Sequence, residues 1–244
     1  MLRGRIILAV VVGLLLAGCA ASPREASVAN DPLEPFNRRV FLINEKFNKY
    51  VVLPAADVYF YHMPAPVREG LHNFVSNLDQ PVTIINDALQ AEFRRMADAL
   101  GRLAMNTTLG LGGLFDVATR AGLPAHTSDF GQTLALWGVG EGPFLVLPII
   151  GPEPPRDLLG DAVDIAMDPL AWVPPSFPIG DRIGSVIGLH VANLFELDAR
   201  DIFLRQELEK GSLDPYVTMR SVWRQARTRE ITGEPGGNYE SFDQ

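Results

Sequence analysis

The sequence predicts a mainly α-helical protein, because apolar residues recur at helical spacing along most of the chain. One set has successive separations of 4, 3, 4 and 3 residues and consists of Phe36, Val40, Ile43, Phe47 and Tyr50. Such spacing places its members on one face of an amphipathic helix. The second observation is that helical periodicity fails only between Gly110 and Gly151, where glycines and prolines are closely spaced. We therefore expect amphipathic helices interrupted by one glycine-rich loop or hairpin.

The N-terminus has the layout of a secretory signal. Arg3 and Arg5 precede an apolar run from Ile6 to Ala17, and Leu-Ala-Gly-Cys follows at 16–19. This ending resembles a bacterial lipobox, in which the sulfur of the cysteine, here Cys19, receives a diacylglycerol. One alternative is an ordinary signal peptide followed by a chance cysteine. Another, a signal-anchor helix, is disfavoured because a run of about 12 apolar residues is shorter than the roughly 20 that span a bilayer.

These features predict a signal peptide at 1–18, an acylated tether at 19–30, one helical domain at 31–230 and a disordered tail at 231–244. Loss of the signal removes two arginines, so the formal charge moves from −8 to −10. So acidic a chain is a poor nucleic-acid binder. Acylation of Cys19, the only cysteine, leaves no intrachain disulfide. A hydrophobic content of 47% predicts a large core or apolar surface that meets lipid or a partner.

The first helix has two possible starts. Asp31 could cap it, with Pro32 at the first helical position and Glu34 completing a capping box. Alternatively, the helix begins a few residues later, because Pro35 lacks the N–H group that a helix interior needs.

More helices are predicted downstream. One begins at Pro66 and another at Pro81, since proline suits the first turn of a helix. A longer one carries apolar positions between Phe93 and Thr107, with charged residues on the opposite face. The remaining helical segments lie around Leu204 and Leu208 and from Asp214 to Arg229.

Within the glycine-rich region, two short apolar arms flank a glycine turn between Leu134 and Leu147. This pattern predicts a hairpin. Both faces of its arms are apolar, so the hairpin must be buried, face lipid or line an apolar passage. It is too short to cross a membrane.

Two charged patterns leave alternatives open. The first consists of aspartates at helical spacing, namely Asp157, Asp161, Asp164 and Asp168. A solvated helix face is the favoured interpretation, and the polar wall of a water-filled passage is the other. The second consists of Arg220, Arg224 and Arg227, which share a face of the C-terminal helix beside Trp223. These arginines contact anionic headgroups, are exposed to solvent or form ion pairs with acidic neighbours.

We find no catalytic constellation in the sequence. The segment around Ser185 lacks the spacing of a nucleophile elbow, and the loop 109–113 lacks the Gly-Lys-Ser/Thr ending of a phosphate-binding loop. The histidines, none within an H-E-x-x-H zinc motif, are His62, His72, His126 and His190. We therefore expect neither enzymatic activity nor a cofactor nor a metal.

Several segments, taken in order, resemble the MlaA (VacJ) family of outer-membrane lipoproteins. They are DPLEPFNR at 31–38, NFVSNL at 73–78, NTTLGLGGLFDVA at 106–118, DFGQTL at 129–134, WGVGEGPF at 137–144 and DPY at 214–216. Each is weakly specific alone, and their order and number carry the resemblance over about residues 31–230.

The resemblance implies a ring of amphipathic helices that lies in the membrane interface around a central amphipathic channel. It also implies a location in the inner leaflet of the outer membrane, facing the periplasm, and a trimeric porin as partner. A family member takes mislocalised phospholipid from the outer leaflet and passes it to a soluble periplasmic carrier. No catalytic residues are implied.

The resemblance also nominates particular residues. Candidates for the channel or hairpin are Leu134, Trp137, Gly138, Gly140, Gly142, Pro143 and Phe144, and the family positions are Asp31, Pro32, Phe36, Asn37, Arg156 and Asp157. The proline-rich filling at 153–155 departs from the family pattern. Alternative functions are a porin-associated scaffold without its own lipid conduit and, less favoured, a periplasmic lipid hydrolase.

Overall fold

The computed structural model describes residues 30–168 and 211–233. The predicted signal peptide, Cys19, the helical segment around Leu204 and Leu208, and the tail from residue 234 lie outside the described residues. Within the described ranges the chain is mainly helical, which confirms the predicted fold class.

The first helical stretch consists of α1 (Glu34–Phe47), a π-helical turn (Asn48–Val52) and α2 (Leu53–His62). Helix α1 begins at Glu34, with Pro35 in its first turn and no side-chain cap. A proline is tolerated there because the first N–H groups of a helix have no partner within it. The predicted capping role of Asp31 is wrong, because its carboxylate accepts hydrogen bonds from Asn37 and from the C-terminal helix instead.

Helix α3 (Ala65–Leu89) packs against α4 (Phe93–Thr108). The prediction of a separate helix beginning at Pro81 is wrong, because Pro81 lies inside α3. Because proline has no backbone N–H, the helix lacks one hydrogen-bond donor at position 81. Beside it, the side-chain amide of Gln80 donates to the carbonyl oxygen of Ser76, one turn earlier, at 3.4 Å. Among the described helices, none has the length and apolar character required to cross a membrane.

The glycine-rich region contains α5 (Val117–Arg120), α6 (Phe130–Leu136) and an antiparallel pair of strands, β1 (Val146–Leu147) and β2 (Gly151–Pro152). The predicted hairpin between Leu134 and Leu147 is therefore wrong in position. Its first arm is the end of α6, a helix that Asp129 begins by accepting a hydrogen bond from the backbone of Gln132.

Two further helices are α7 (Pro155–Met167) and α8 (Pro215–Thr232). Helix α8 confirms the predicted C-terminal helix, and the side chain of Asp214 caps it. Helices α6 and α7 cross at Gly131 and Gly160, where there is no room for a Cβ atom. This crossing brings the acidic face of α7 against the start of α6.

Within the ranges 30–168 and 211–233, the apolar core cluster is small. It consists of Val40, Phe41, Phe144, Val146 and Tyr216, with Met219 and Trp223 packed against it. It joins α1, β1 and α8, and it fixes the C-terminal helix to the N-terminal one.

Candidate functional site

The described helices direct many apolar side chains outward and many polar ones inward. On α1, Phe36 and Ile43 of the predicted apolar face are 49% and 56% exposed, whereas Asn37 is fully buried. On α4, Phe93 is 64% exposed and Arg102 is 4% exposed. The amphipathic helices are confirmed, but polar side chains share their buried faces; on α1, Asn37 and Asn44 are buried together with the apolar Val40 and Phe41. This distribution is unfavourable in water and favourable where the exterior meets lipid.

Two buried asparagines of α1 hold one edge of the segment 144–149. The amide of Asn37 donates to the carbonyl oxygen of Phe144 at 2.9 Å and accepts from the N–H of Val146 at 3.0 Å. Asn44 makes the equivalent pair with the carbonyl oxygen of Leu147 at 2.9 Å and the N–H of Ile149 at 2.8 Å. Side-chain amides thus replace a neighbouring strand along this edge.

A second polar cluster lies between the start of the domain and α8. Asp31 accepts hydrogen bonds from Asn37 at 2.8 Å, from Arg220 at 2.6 Å and from the hydroxyl of Tyr216. Phe41 meets the Tyr216 ring edge-on. Two of the family positions, Asp31 and Asn37, therefore join the two ends of the described chain.

Arg227 of α8 connects α6 to α7. Its guanidinium donates to both carboxylate oxygens of Asp129 at 2.7 Å and to Asp157 at 2.8 Å. Arg156 binds Asp157 from the other side at 3.0 Å. Burial acts to raise the pKa of Asp129, but the hydrogen bond and charge of Arg227 outweigh it, so this pKa is lowered.

The ion-pair alternative for the C-terminal arginines is confirmed. Arg220 pairs with Asp31, Arg224 with Glu141 and Arg227 with Asp129 and Asp157. Each of these arginines therefore binds a carboxylate of the same chain. The ion pairs fix α8 onto the remainder of the described chain.

Most of the acidic face of α7 is not solvated, and of its four aspartates only Asp161 is exposed. Asp157, Asp164 and Asp168 are buried, so the favoured interpretation is wrong for these three. Asp164 accepts hydrogen bonds from Asn86 and from the backbone N–H of Phe130, both at 2.8 Å. A water-filled passage along this face stays a prediction.

Three carboxylates near this face hold their protons more tightly than usual. One is Asp161, whose pKa is raised to about 6 by desolvation and by the negative charge of Asp129. Burial raises the pKa of Asp164 to about 6, despite its hydrogen bonds. Burial, with the negative charges of Asp161 and Asp157, raises the pKa of Glu153 to about 8. Glu153 belongs to the proline-rich segment 153–155.

His126 forms a hydrogen bond with the buried Asp87. Its Nε2 lies 2.8 Å from Asp87, whose other oxygen accepts from Ser128. Within 30–168 and 211–233, no group of three or more His, Cys, Asp or Glu residues is arranged to hold a metal ion.

The predicted channel residues divide into buried and exposed groups. Leu134 and Phe144 are buried, and Phe144 lies in the apolar core. Trp137 is exposed, meets the ring of Phe130 edge-on and donates to the carbonyl oxygen of Leu89 at 3.3 Å. Gly138 and Gly140 are exposed and would leave open space around a Cβ atom.

The last two channel candidates, Gly142 and Pro143, lie where the chain after the exposed glycines packs near the start of α7. Gly142, with φ of 79°, packs against the ring of Pro155, and Pro143 beside it is half-buried. Assignment of these residues to a channel wall stays a prediction.

The family positions have differing surroundings. Asp31, Asn37, Arg156 and Asp157 are buried in polar networks, Pro32 is half-buried and Phe36 points outward. Sequence reasoning missed Tyr216, which donates to Asp31, and also Asp129 and Asn86, which bind Arg227 and Asp164. A signal was available for Asp129, since an aspartate three residues before a glutamine favours a helix start.

A family model and several known proteins match most of this chain. The family model described as MlaA lipoprotein matches residues 29–230. An Escherichia coli K12 protein named intermembrane phospholipid transport system lipoprotein MlaA is 35% identical over 216 residues, covering 86% of this chain and 82% of that protein. The Haemophilus influenzae protein of the same name is 33% identical, covering 90% and 87%. A Rickettsia felis protein of uncharacterized function is 37% identical, covering 82% and 78%.

A solved structure reported as the structural basis for maintenance of bacterial outer membrane lipid asymmetry has a similar fold. The TM-score is 0.72 at 33% sequence identity, and the match covers 82% of this chain and 98% of that one. Similarity of sequence and of fold therefore extends over most of the chain.

Proposed function

The chain belongs to the MlaA lipoprotein family, and we propose on this premise that it is the outer-membrane lipoprotein of an intermembrane phospholipid transport system. It removes mislocalised phospholipid from the outer leaflet and thereby maintains lipid asymmetry. The observation that carries this function is the family match over residues 29–230, together with relatives that bear this function in their names.

The arrangement of polar and apolar surface supports a body that lies in the membrane interface. Exposed apolar side chains on α1 to α4 suit contact with acyl chains, and the polar interior suits the passage of headgroups. The family acts in lipid transport and not as a class of enzymes, so we expect no catalysis by this chain. A passive conduit only relaxes an existing difference in concentration or affinity, so its partners set the direction.

The proposed function also requires a membrane anchor and two protein partners. Acylation of Cys19 holds the chain in the inner leaflet of the outer membrane, since two or more acyl chains give stable anchoring. A trimeric porin surrounds or supports the body, and a soluble periplasmic carrier receives the lipid. A Cys19→Ala variant is expected to be mis-sorted, which fractionation of inner and outer membranes would detect.

The test is complementation of a strain that lacks this protein. Expression of the wild-type chain is expected to lower outer-leaflet phospholipid, measured by labelling intact cells with an amine-reactive reagent that does not cross membranes. A chain that is correctly located and leaves that level unchanged would contradict the proposal.

The substitution Gly140→Trp distinguishes a lipid conduit from the scaffold alternative. A bulky ring at this open position should block a conduit, whereas a pure scaffold would keep its function. Co-purification of the porin with the variant shows that the complex still assembles.

A further inference from the structure

The exposed glycine segment 138–140 runs between two fixed points. On one side, the N–H of Gly138 donates to the carbonyl oxygen of Ala135 at 2.9 Å, which ends α6. On the other side, Glu141 and Gly142 are bound by side chains from both ends of the domain. Between these points Gly140 has no atom within 4 Å of an added Cβ. The position of the segment therefore depends on how its ends are held.

The second fixed point is formed by Asn30, Glu141 and Arg224, which we call the latch. The amide of Asn30 donates to the Glu141 carboxylate at 3.1 Å and to the carbonyl oxygen of Gly142 at 2.6 Å. Arg224 donates to the same carboxylate at 2.9 Å, and its guanidinium lies over the ring of Phe144. The latch thus joins the first residue of the described chain, the glycine segment and α8.

The chain beyond the latch is held independently. Asn37 and Asn44 bind the backbone of 144–149, and β1 pairs with β2. Two backbone bonds from that chain reach the latch residues. The N–H of Phe144 donates to the carbonyl oxygen of Asn30 at 2.8 Å, and the N–H of Arg156 donates to that of Glu141 at the longer distance of 3.4 Å. Loss of the latch side chains should therefore release residues 138–143 and leave the β1–β2 pair in place.

We propose that Asn30, Glu141 and Arg224 are positioning residues that set the place of the glycine segment 138–140 for phospholipid passage. This inference rests on the proposed function. None of the three residues needs to touch lipid, because each acts through the segment that it holds. The latch also places Asn30, the last residue of the predicted tether, beside the loop.

Two variants remove the latch by different chemistry. Glu141→Gln keeps the shape and an acceptor for Asn30 but removes the charge that pairs with Arg224. Asn30→Gly removes both amide bonds while tolerating the φ of 46° at this position, where alanine would add strain. The matched control is Glu230→Gln, which removes another partner of an arginine on α8 but has no contact with the loop.

Hydrogen exchange of the purified full chain in mild detergent is the first measurement. In both latch variants, amide exchange in residues 138–142 is expected to rise about tenfold, with 146–152 unchanged. Glu230→Gln is expected to match the wild type throughout. Unchanged exchange at 138–142 in the latch variants would overturn the proposal.

Outer-leaflet phospholipid in complemented cells is the second measurement. Both latch variants are expected to clear it about threefold more slowly than the wild type, at unchanged thermal midpoint and protein level. Faster exchange with normal clearance, or lost clearance that follows a lower thermal midpoint, would overturn the positioning role and leave the proposed function standing. A wild-type chain that fails to clear phospholipid would instead contradict the proposed function.

Discussion

The substitution Gly160→Ala is expected to destabilise the protein at the crossing of α6 and α7. A Cβ atom at position 160 would lie 2.4 Å from the backbone nitrogen of Gly131 and 2.8 Å from its Cα. Ordinary contact begins near 3.4 Å, so the helices must separate by about 1 Å. Because the obstacle is backbone, no rotamer change relieves it, and we expect an overpacking cost of about 3 kcal/mol.

Helix propensity acts in the opposite direction. Alanine in a helix interior is favoured over glycine by about 1 kcal/mol, so the net loss of unfolding free energy is about 2 kcal/mol. For a domain of this size, that loss lowers the thermal midpoint by roughly 4–8 °C. The shift also draws Asp157 away from Arg227, since both groups contact Gly131.

Thermal unfolding of the purified protein in detergent measures this effect. The matched control is Gly140→Ala, which adds the same methyl group in open space at a position without positive φ. It is expected to keep the wild-type midpoint within about 2 °C. A Gly160→Ala protein as stable as the wild type, or more stable, would refute the close approach of the two helices.

Two other expectations concern charge. Arg227→Met should lower the unfolding free energy by about 3 kcal/mol, because it leaves Asp129 without its cation and Asp157 with Arg156 alone. Removal of the exposed partner Glu230 by Glu230→Gln should cost less than about 0.5 kcal/mol in denaturant titrations, and equal effects of the two substitutions would contradict the buried network. Because the pKa of Glu153 is raised from 4.5 to about 8, its protonated form stabilises the fold fully below pH 4.5, and this stability is lost as the pH rises through 8. Glu153→Gln should therefore match the wild type at pH 4.5 and exceed it in thermal midpoint at pH 9, and a constant difference would contradict the raised pKa.

The sequence predicted which segments are helical better than it predicted which faces are inside. The spacing of Phe36, Val40 and Ile43 defines an amphipathic helix correctly, but periodicity alone does not say whether the apolar face meets a core or the exterior. The interior of α1 is set by Asn37 and Asn44, whose partners lie about a hundred residues away along the chain. The local spacing of residues gives no information about such distant partners.

Local turn chemistry explains the two misplaced elements. Pro81 was predicted to start a helix, but a proline inside a long helix costs one hydrogen bond that the packing of α3 on α4 outweighs. The hairpin prediction gave weight to apolar arms and overlooked Asp129 as a helix cap. In contrast, Asp214 followed by Pro215 is a strong local start signal, and α8 begins there.

The acidic stripe on α7 shows the same limit. Its helical spacing was visible, but its burial depends on Arg227 from α8 and on the close approach of α6 at Gly131. A pattern of aspartates carries no information about a cation that folding brings from elsewhere. Charge pairing over long sequence separation therefore had to come from the structure.

The most direct test of phospholipid passage is native mass spectrometry of the full-length protein with its porin, purified from outer membranes in mild detergent. Phospholipid is expected to remain bound to the wild-type chain and to be reduced in Gly140→Trp, while the porin remains bound in both. Consistent absence of phospholipid from the wild-type complex, or equal occupancy in both proteins, would contradict a lipid conduit in this chain.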